Sequence, residues 1–310
     1  MQYLRMELYK MSLYTWLKNW WNNIDKCDHE FSVRHTNHAT CKCGKRKSHY
    51  YGWNKPKGTT TAKSFGDSGE VVVTVIPDTI DLRSKCPPIR NQGSQGSCTG
   101  FSSASAVTFQ RMAQGELPNP PGDMQVASPE YIYSLTRKTE GTFPSDVGAS
   151  IADTVVTIEQ EGSCAELYMV YDQNIYNQLP SALAIADGQK KKAIQYSVIN
   201  NNDLNLVDLA LSNGYTVLIG ITVYSSFEGP IPASNGIIPY PNMQTESVLG
   251  GHAIEIIGKI PVPGIPNKRR YPFKNSWGPS WGDKGYGYLD EDYLKNPNLS
   301  SDWHVIKLMS

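Results

Sequence analysis

The stretch NQGSQGSCTGFSSASAV, Asn91 to Val107, sets two Gln-Gly pairs ahead of a single cysteine, Cys98. It follows that cysteine with small residues and then a long apolar-periodic segment. Glycine and serine before Cys98 suit a loop, and the periodicity after it predicts a helix running to about Gln114. A cysteine in the first turn of a helix faces orphan N–H groups and the positive end of the helix dipole. Both favour the thiolate, the form that attacks carbonyl carbon. Cys98 is thus either a buried structural cysteine or a nucleophile. A nucleophile requires a histidine to pair with the sulfur and protonate a leaving group, and a third group to orient that histidine.

Working outward, Pro129 opens a second helix, PEYIYSLTRK, and Ala149 to about Gln160 forms a third. After about residue 190 the texture changes. YTVLIGITVY (215–224), HAIEIIGKI (252–260) and GYGYLDED (285–292) are β-branched or alternating, with Gly/Pro turns between them. Helices lead and strands follow, which predicts an α+β fold of two lobes. VVVTVIP at 71–77 is also strand-like. Residues 51–70 carry the Gly, Thr, Lys and Ser of a linker. Residues 1–24 have the spacing of an amphipathic helix, packed on the body or lying at a membrane interface.

The chain is 39% hydrophobic and 19% charged, with 29 basic and 29 acidic residues. That balance gives no global pull toward nucleic acid. The basic run GKRK at 44–47 is short enough to be a solvated turn. No segment of about 18 apolar residues is present to span a membrane. Charges at Arg5, Glu7, Lys10 and Lys18 break every apolar run that could serve as a secretory leader, which points to an intracellular protein, carried in a viral particle if the source is viral. The six cysteines are unevenly spread, three within 27–43 and three far apart, as expected of a reducing compartment rather than a disulfide framework.

Outside the N-terminal segment the histidines are His252 and His304. His252 lies in GGHAIEIIGK, and Asn275 in FKNSWGPSWGDKGYGYL. The three blocks QGSQGSCTGF, GHAIEIIG and KNSWGPSWGDKGYGY, in that order, resemble the papain-like cysteine proteases over about residues 77–308. The resemblance implies a papain-like fold, with a helical lobe carrying the cysteine and a β-barrel-like lobe carrying His and Asn. It casts Cys98 as nucleophile, His252 as acid/base and Asn275 as the group that holds the imidazole. Gln92 becomes the oxyanion-hole amide. Gly148, Ala253 and Trp277 fall at the substrate groove, Trp277 as the indole shielding the His–Asn hydrogen bond, and a residue within 300–305 closes the pocket. Two positions depart from the family pattern: Gln95 stands where a disulfide cysteine is usual, and Thr99 where a tryptophan is usual. The first implies that Cys86, Cys98 and Cys164 are free thiols. The Cys98–His252 interval exceeds the family's ~130–150 residues, implying an insertion around 172–200.

Residues 27–49 hold Cys27, His29, Cys41 and Cys43, with His35, His38 and His49 as spare ligands. Thiolates and imidazoles suit tetrahedral Zn²⁺, so residues 1–50 are expected to form a zinc-ribbon-like extension, with a polar metal-free segment as the alternative. The protease domain would then cover 71–310. The function expected is an endopeptidase acting on protein or peptide substrates through an acyl-enzyme, with no cofactor for the chemistry. An exopeptidase or amidase on the same fold, or a catalytically silent binding protein, remain the alternatives. Residues 1–76 occupy the place of an inhibitory propeptide but lack the long helical pattern one would carry.

Overall fold

A computed structural model of the chain describes residues 51–57, 62–67, 75–192, 194–199 and 203–308, with the backbone of 31–32 and 40–41. The chain divides into two units, Met1–Lys47 and Ser48–Ser310. In the first, β1 (Phe31–Ser32) pairs antiparallel with β2 (Thr40–Cys41), setting Phe31 opposite Cys41. The expected helix over 1–24 and the side chains of Cys27, His29, Cys41 and Cys43 lie outside the described residues, as do His35, His38 and His49.

The second unit opens its helical half with α1 (Cys98–Ala113), α2 (Pro129–Thr139), α3 (Ile151–Glu161) and α4 (Ala182–Gln189). The sequence marks these starts by local chemistry. Ser128 accepts from the Tyr131 N–H with Pro129 at the first helical position, and Ser150 accepts from the Asp153 N–H. α1 differs from the one-faced helix its periodicity suggests, being buried on all sides from Cys98 to Arg111. Its run of Gly, Ser and Ala is the reason: a Cβ on Gly100 would stand 2.5 Å from the Pro129 carbonyl oxygen. Only small side chains let this helix sit between the other helices and the sheet.

The sheet runs β3 (Ile80–Asp81), β7 (Gly258–Pro261), β8 (Arg269–Lys274), β6 (Val248–Ile256), β5 (Val217–Tyr224), β10 (Ser300–Leu308), β4 (Ile194–Val198), with β9 (Tyr286–Asp290) on the far side of β8. Every pairing is antiparallel. Short helices α5 (Leu204–Ser212), α6 (Pro230–Asn235) and α7 (Glu291–Lys295) complete the lobe. The expected strand at 71–77 differs: 71–74 fall outside the described residues and Val75–Pro77 form no strand, the sheet's first strand starting beyond the proline.

Two apolar clusters result. One packs the sheet around Ile219, Ile254, Phe273 and Trp303. The other joins Val107, Ile132, Val155 and Ile158 of the helices with Cys98, Ala253 and Trp53. Between them a buried pair pins two strands: Glu255 of β6 lies opposite Lys274 of β8. Thr216 Oγ1 donates to the Glu255 carboxylate (2.7 Å) and Lys274 Nζ donates to Ser105 Oγ on α1 (2.9 Å). That register fixes where β6 and β8 deliver their neighbouring residues.

Candidate active site

Cys98 heads α1. Ser97 before it provides no side-chain cap; its hydroxyl turns to the Tyr171 hydroxyl (2.9 Å), leaving the first-turn N–H groups uncapped by it. β6 brings the Ala253 N–H to the Cys98 sulfur (3.3 Å). His252 lies one residue earlier on the same strand, opposite Ile221 of β5. Asn275 follows the last residue of β8. Its Oδ1 is 2.8 Å from His252 Nε2 and also accepts from the Ser276 N–H. Trp277 stacks on the imidazole, with centroids 4.9 Å apart and planes at 30°. Gln92 is buried, with its Oε1 accepting from Ser276 Oγ (2.5 Å) and its Nε2 donating to the Gln95 carbonyl (2.9 Å). Cys98, His252, Asn275, Gln92, Ala253 and Trp277 thus lie in one neighbourhood. Thr99 is buried beside it.

The expected linker departs from expectation here. Residues 51–57 run through the groove between helices and sheet. Trp53 N–H donates to the Gly251 carbonyl (2.9 Å), Asn54 N–H to the Ala149 carbonyl (2.9 Å), and Ala149 N–H to the Gly52 carbonyl (2.7 Å). Trp53 and Ala149 make a parallel bridge. Tyr51 sets its edge against His252 and Trp277, at 6.3 and 6.1 Å between centroids, and its hydroxyl bonds Glu228. Gly148 has φ +81°, and a Cβ there would stand 2.1 Å from the Gly52 carbonyl oxygen, so glycine admits the strap. A Cβ on Gly251 would likewise stand 2.1 Å from the Trp53 carbonyl oxygen. The aromatic pair Tyr51 and Trp53 inside an otherwise polar stretch was the available signal.

The strap covers the chemistry. Cys98 and His252 are both 0% exposed. Burial pushes the Cys98 thiol up to about 11, only partly offset by hydrogen bonds from the N–H groups of Ala253, Gly52 and Thr99. In this arrangement the helix N-terminus does not keep a thiolate.

Within the 300–305 segment, Asp302 meets the strap. Trp53 Nε1 donates to its carboxylate (2.9 Å), as does the Ile151 N–H at the start of α3 (2.8 Å). Asp302 sits in a register shift of β10 against β5 with φ +62°, which turns its side chain inward. His304 stands behind it, Nδ1 3.4 Å from the carboxylate. Burial raises the Asp302 carboxyl and lowers the His304 imidazole.

Gln95 spends its side chain on Glu130. Cys86, Cys98 and Cys164 are free and buried, as expected from that departure. Among the described residues no cluster of His, Cys, Asp or Glu could hold a metal, and no helix is long and apolar enough to cross a membrane.

A central helix headed by a cysteine, set against an antiparallel sheet whose histidine-bearing strand reaches the sulfur, is the architecture of a cysteine peptidase. The chain belongs to the papain family of cysteine proteases, whose sequence model matches residues 76–303. It is similar to an uncharacterized peptidase C1-like protein of Acanthamoeba polyphaga mimivirus, 27% identical over 259 residues and covering 80% of each chain. Mouse cathepsin K is 28% identical over 221 residues, 69% of this chain and 60% of that one. Among solved structures, xylellain, a cysteine protease from Xylella fastidiosa, superposes with a TM-score of 0.74 at 26% identity, over 90% of this chain and 99% of that one. The protein is therefore a cysteine-type peptidase, a hydrolase acting on peptides or proteins, and the family's chemistry needs no cofactor.

Proposed function

We propose that the protein is an endopeptidase that works through Cys98, His252 and Asn275, and that residues 51–57 hold it latent. Asn275 Oδ1 accepts from His252 Nε2, so the imidazole exchanges protons with the thiol through Nδ1. The thiol proton moves to Nδ1 as the sulfur attacks the scissile carbonyl carbon. The carbonyl oxygen takes the negative charge against the Cys98 N–H and the Gln92 amide. His252 returns the proton to the leaving amine, and water then hydrolyses the thioester. Trp277 keeps water from the His–Asn hydrogen bond.

The observation that carries this reading is the convergence of the sulfur, the His252–Asn275 pair and the Gln92 amide at the head of α1. The course of the strap favours an endopeptidase over the exopeptidase and amidase alternatives. Its backbone lies at Cys98 and continues on both sides, toward Tyr51 by Trp277 and toward Asn54 by Ala149, so chain occupies both sides of the sulfur, as an endopeptidase substrate would. A substrate displacing the strap would seat one side chain where Trp53 now sits, above Asp302. Residues 1–50 are assigned a separate docking module binding zinc through Cys27, His29, Cys41 and Cys43. Their spacing and the Phe31–Cys41 pairing, which ties the two halves of the segment together, support it.

The test is Cys98→Ala in the full-length chain carrying Trp53→Ala, which opens the groove, assayed on an internally quenched peptide blocked at both ends. Hydrolysis should vanish while the melting profile stays, and His252→Ala should nearly match it. Substantial cleavage by Cys98→Ala would end the thiol mechanism, and cleavage confined to peptides with a free terminus would end the endopeptidase reading.

A further inference from the structure

A buried polar chain behind the groove ends on the amide assigned to the oxyanion. The planar Gln92 side chain is held at both ends, by Ser276 Oγ at its oxygen and by the Gln95 main-chain carbonyl at its nitrogen. The direction of both its N–H bonds therefore follows from where that carbonyl stands. The Gln95 side chain turns inward, 2% exposed, and its Nε2 donates to Glu130 Oε2 (2.8 Å). Glu130, in the first turn of α2, is 0% exposed and faces Arg137 at 3.8 Å. Arg137 is fixed in turn: it donates to the carbonyls of Ser145 (2.9 Å) and Tyr176 (2.5 Å), and its guanidinium lies 4.0 Å over the Tyr133 ring.

Burying an amide, a carboxyl and a guanidinium costs more than filling the same space with apolar side chains. What the polar chain adds is direction, because hydrogen bonds constrain angle where packing does not. The loop is also closed by bonds that do not involve Gln95. Gly96 N–H donates to Asp146 (3.1 Å), Ser97 is tied to Tyr171, and the Tyr171 hydroxyl donates to the Gln92 carbonyl (2.7 Å). The Glu130–Gln95 link therefore sets the fine position of one carbonyl within a loop that is already closed.

We propose that Gln95 is a positioning residue for hydrolysis, anchored by Glu130 so that its main-chain carbonyl aims the Gln92 amide at the developing oxyanion. The proposal rests on the mechanism above. It is tested in the full-length chain carrying Trp53→Ala, so that groove opening is common to every variant, with active sites counted by an irreversible thiol alkylator. Gln95→Met, isosteric and unable to donate, should lower kcat roughly tenfold with KM little changed, since small misplacements of a transition-state donor act on the chemical step. Gln95→Asn, which keeps polarity but falls short of Glu130, should behave alike and serves if the methionine variant does not fold. Glu130→Gln still offers an acceptor and should retain most of kcat. In a Gln92→Ala background, Gln95→Met should cost nothing further. Wild-type kcat in both Gln95 variants, an effect on KM alone, or an equal loss in the Gln92→Ala background would overturn the positioning role while leaving the peptidase mechanism standing. An unchanged kcat in Gln92→Ala itself would overturn the oxyanion assignment and this proposal with it.

Discussion

At the scale of single residues, two forces act on the Cys98 sulfur in opposite directions. The head of α1 and the Ala253 N–H favour the thiolate, while burial beneath Gly52 and Trp53 disfavours it, and burial wins with the strap in place. In the proposed mechanism Gln92 acts on the other partner of the reaction. Its amide is positioned before substrate arrives, so its contribution falls on the transition state rather than on binding. Gln92→Ala should lower kcat about 10²-fold and leave KM near wild type. A change in KM alone would move Gln92 from the oxyanion to ground-state binding.

At the scale of elements, the strap 51–57 is the segment whose removal changes the site most. It is held by backbone hydrogen bonds to Ala149 and Gly251 and by one large buried side chain. Truncating a buried tryptophan costs about 3–5 kcal/mol, enough to shift a short segment out of a groove. Trp53→Ala should therefore increase hydrolysis and bring water to the sulfur. Because burial is the main cause raising the thiol to about 11, exposure must lower it. Cys98 alkylation should then set in at lower pH and run at least about tenfold faster near pH 7, one pKa unit's worth of extra thiolate. Superimposable pH–rate profiles for alkylation of the wild type and Trp53→Ala would count against latency by the strap.

At the scale of the whole molecule, the chemistry belongs to one unit, Ser48–Ser310, while the Cys/His segment belongs to the other, Met1–Lys47. The groups we propose as catalytic come from α1, β6 and the end of β8, all within the second unit. A metal in the first unit would stabilise the Cys/His segment, which is short for a fold of its own. Elemental analysis of the full-length protein should find one zinc per chain, and stripping it with a chelator should leave kcat unchanged. Loss of hydrolysis on chelation, restored by zinc, would tie the first unit to catalysis.

Much of this was legible in the chain as written. The starts of α1, α2 and α3 are local chemistry: a loop of small residues before Cys98, and serine caps at Ser128 and Ser150, each acting within a few residues. The order of the three motif blocks marked Cys98, His252, Asn275 and Gln92 before any fold was in view. Tertiary structure decided the rest. Tyr51 and Trp53 sit in a stretch with the composition of a linker, and only the closed groove, with glycines at 148 and 251, converts it into a strap. Asp302 meets Trp53 because a register shift in β10 turns it inward, a choice made by pairing with β5. Gln95 acquires a role only when α2 brings Glu130 beside it. Helix starts and nucleophile loops depend on neighbours along the chain and so can be read in it. Which strand slips, which segment is captured and which buried polar groups meet depend on surfaces far apart in sequence, and these exist only once the chain has closed on itself.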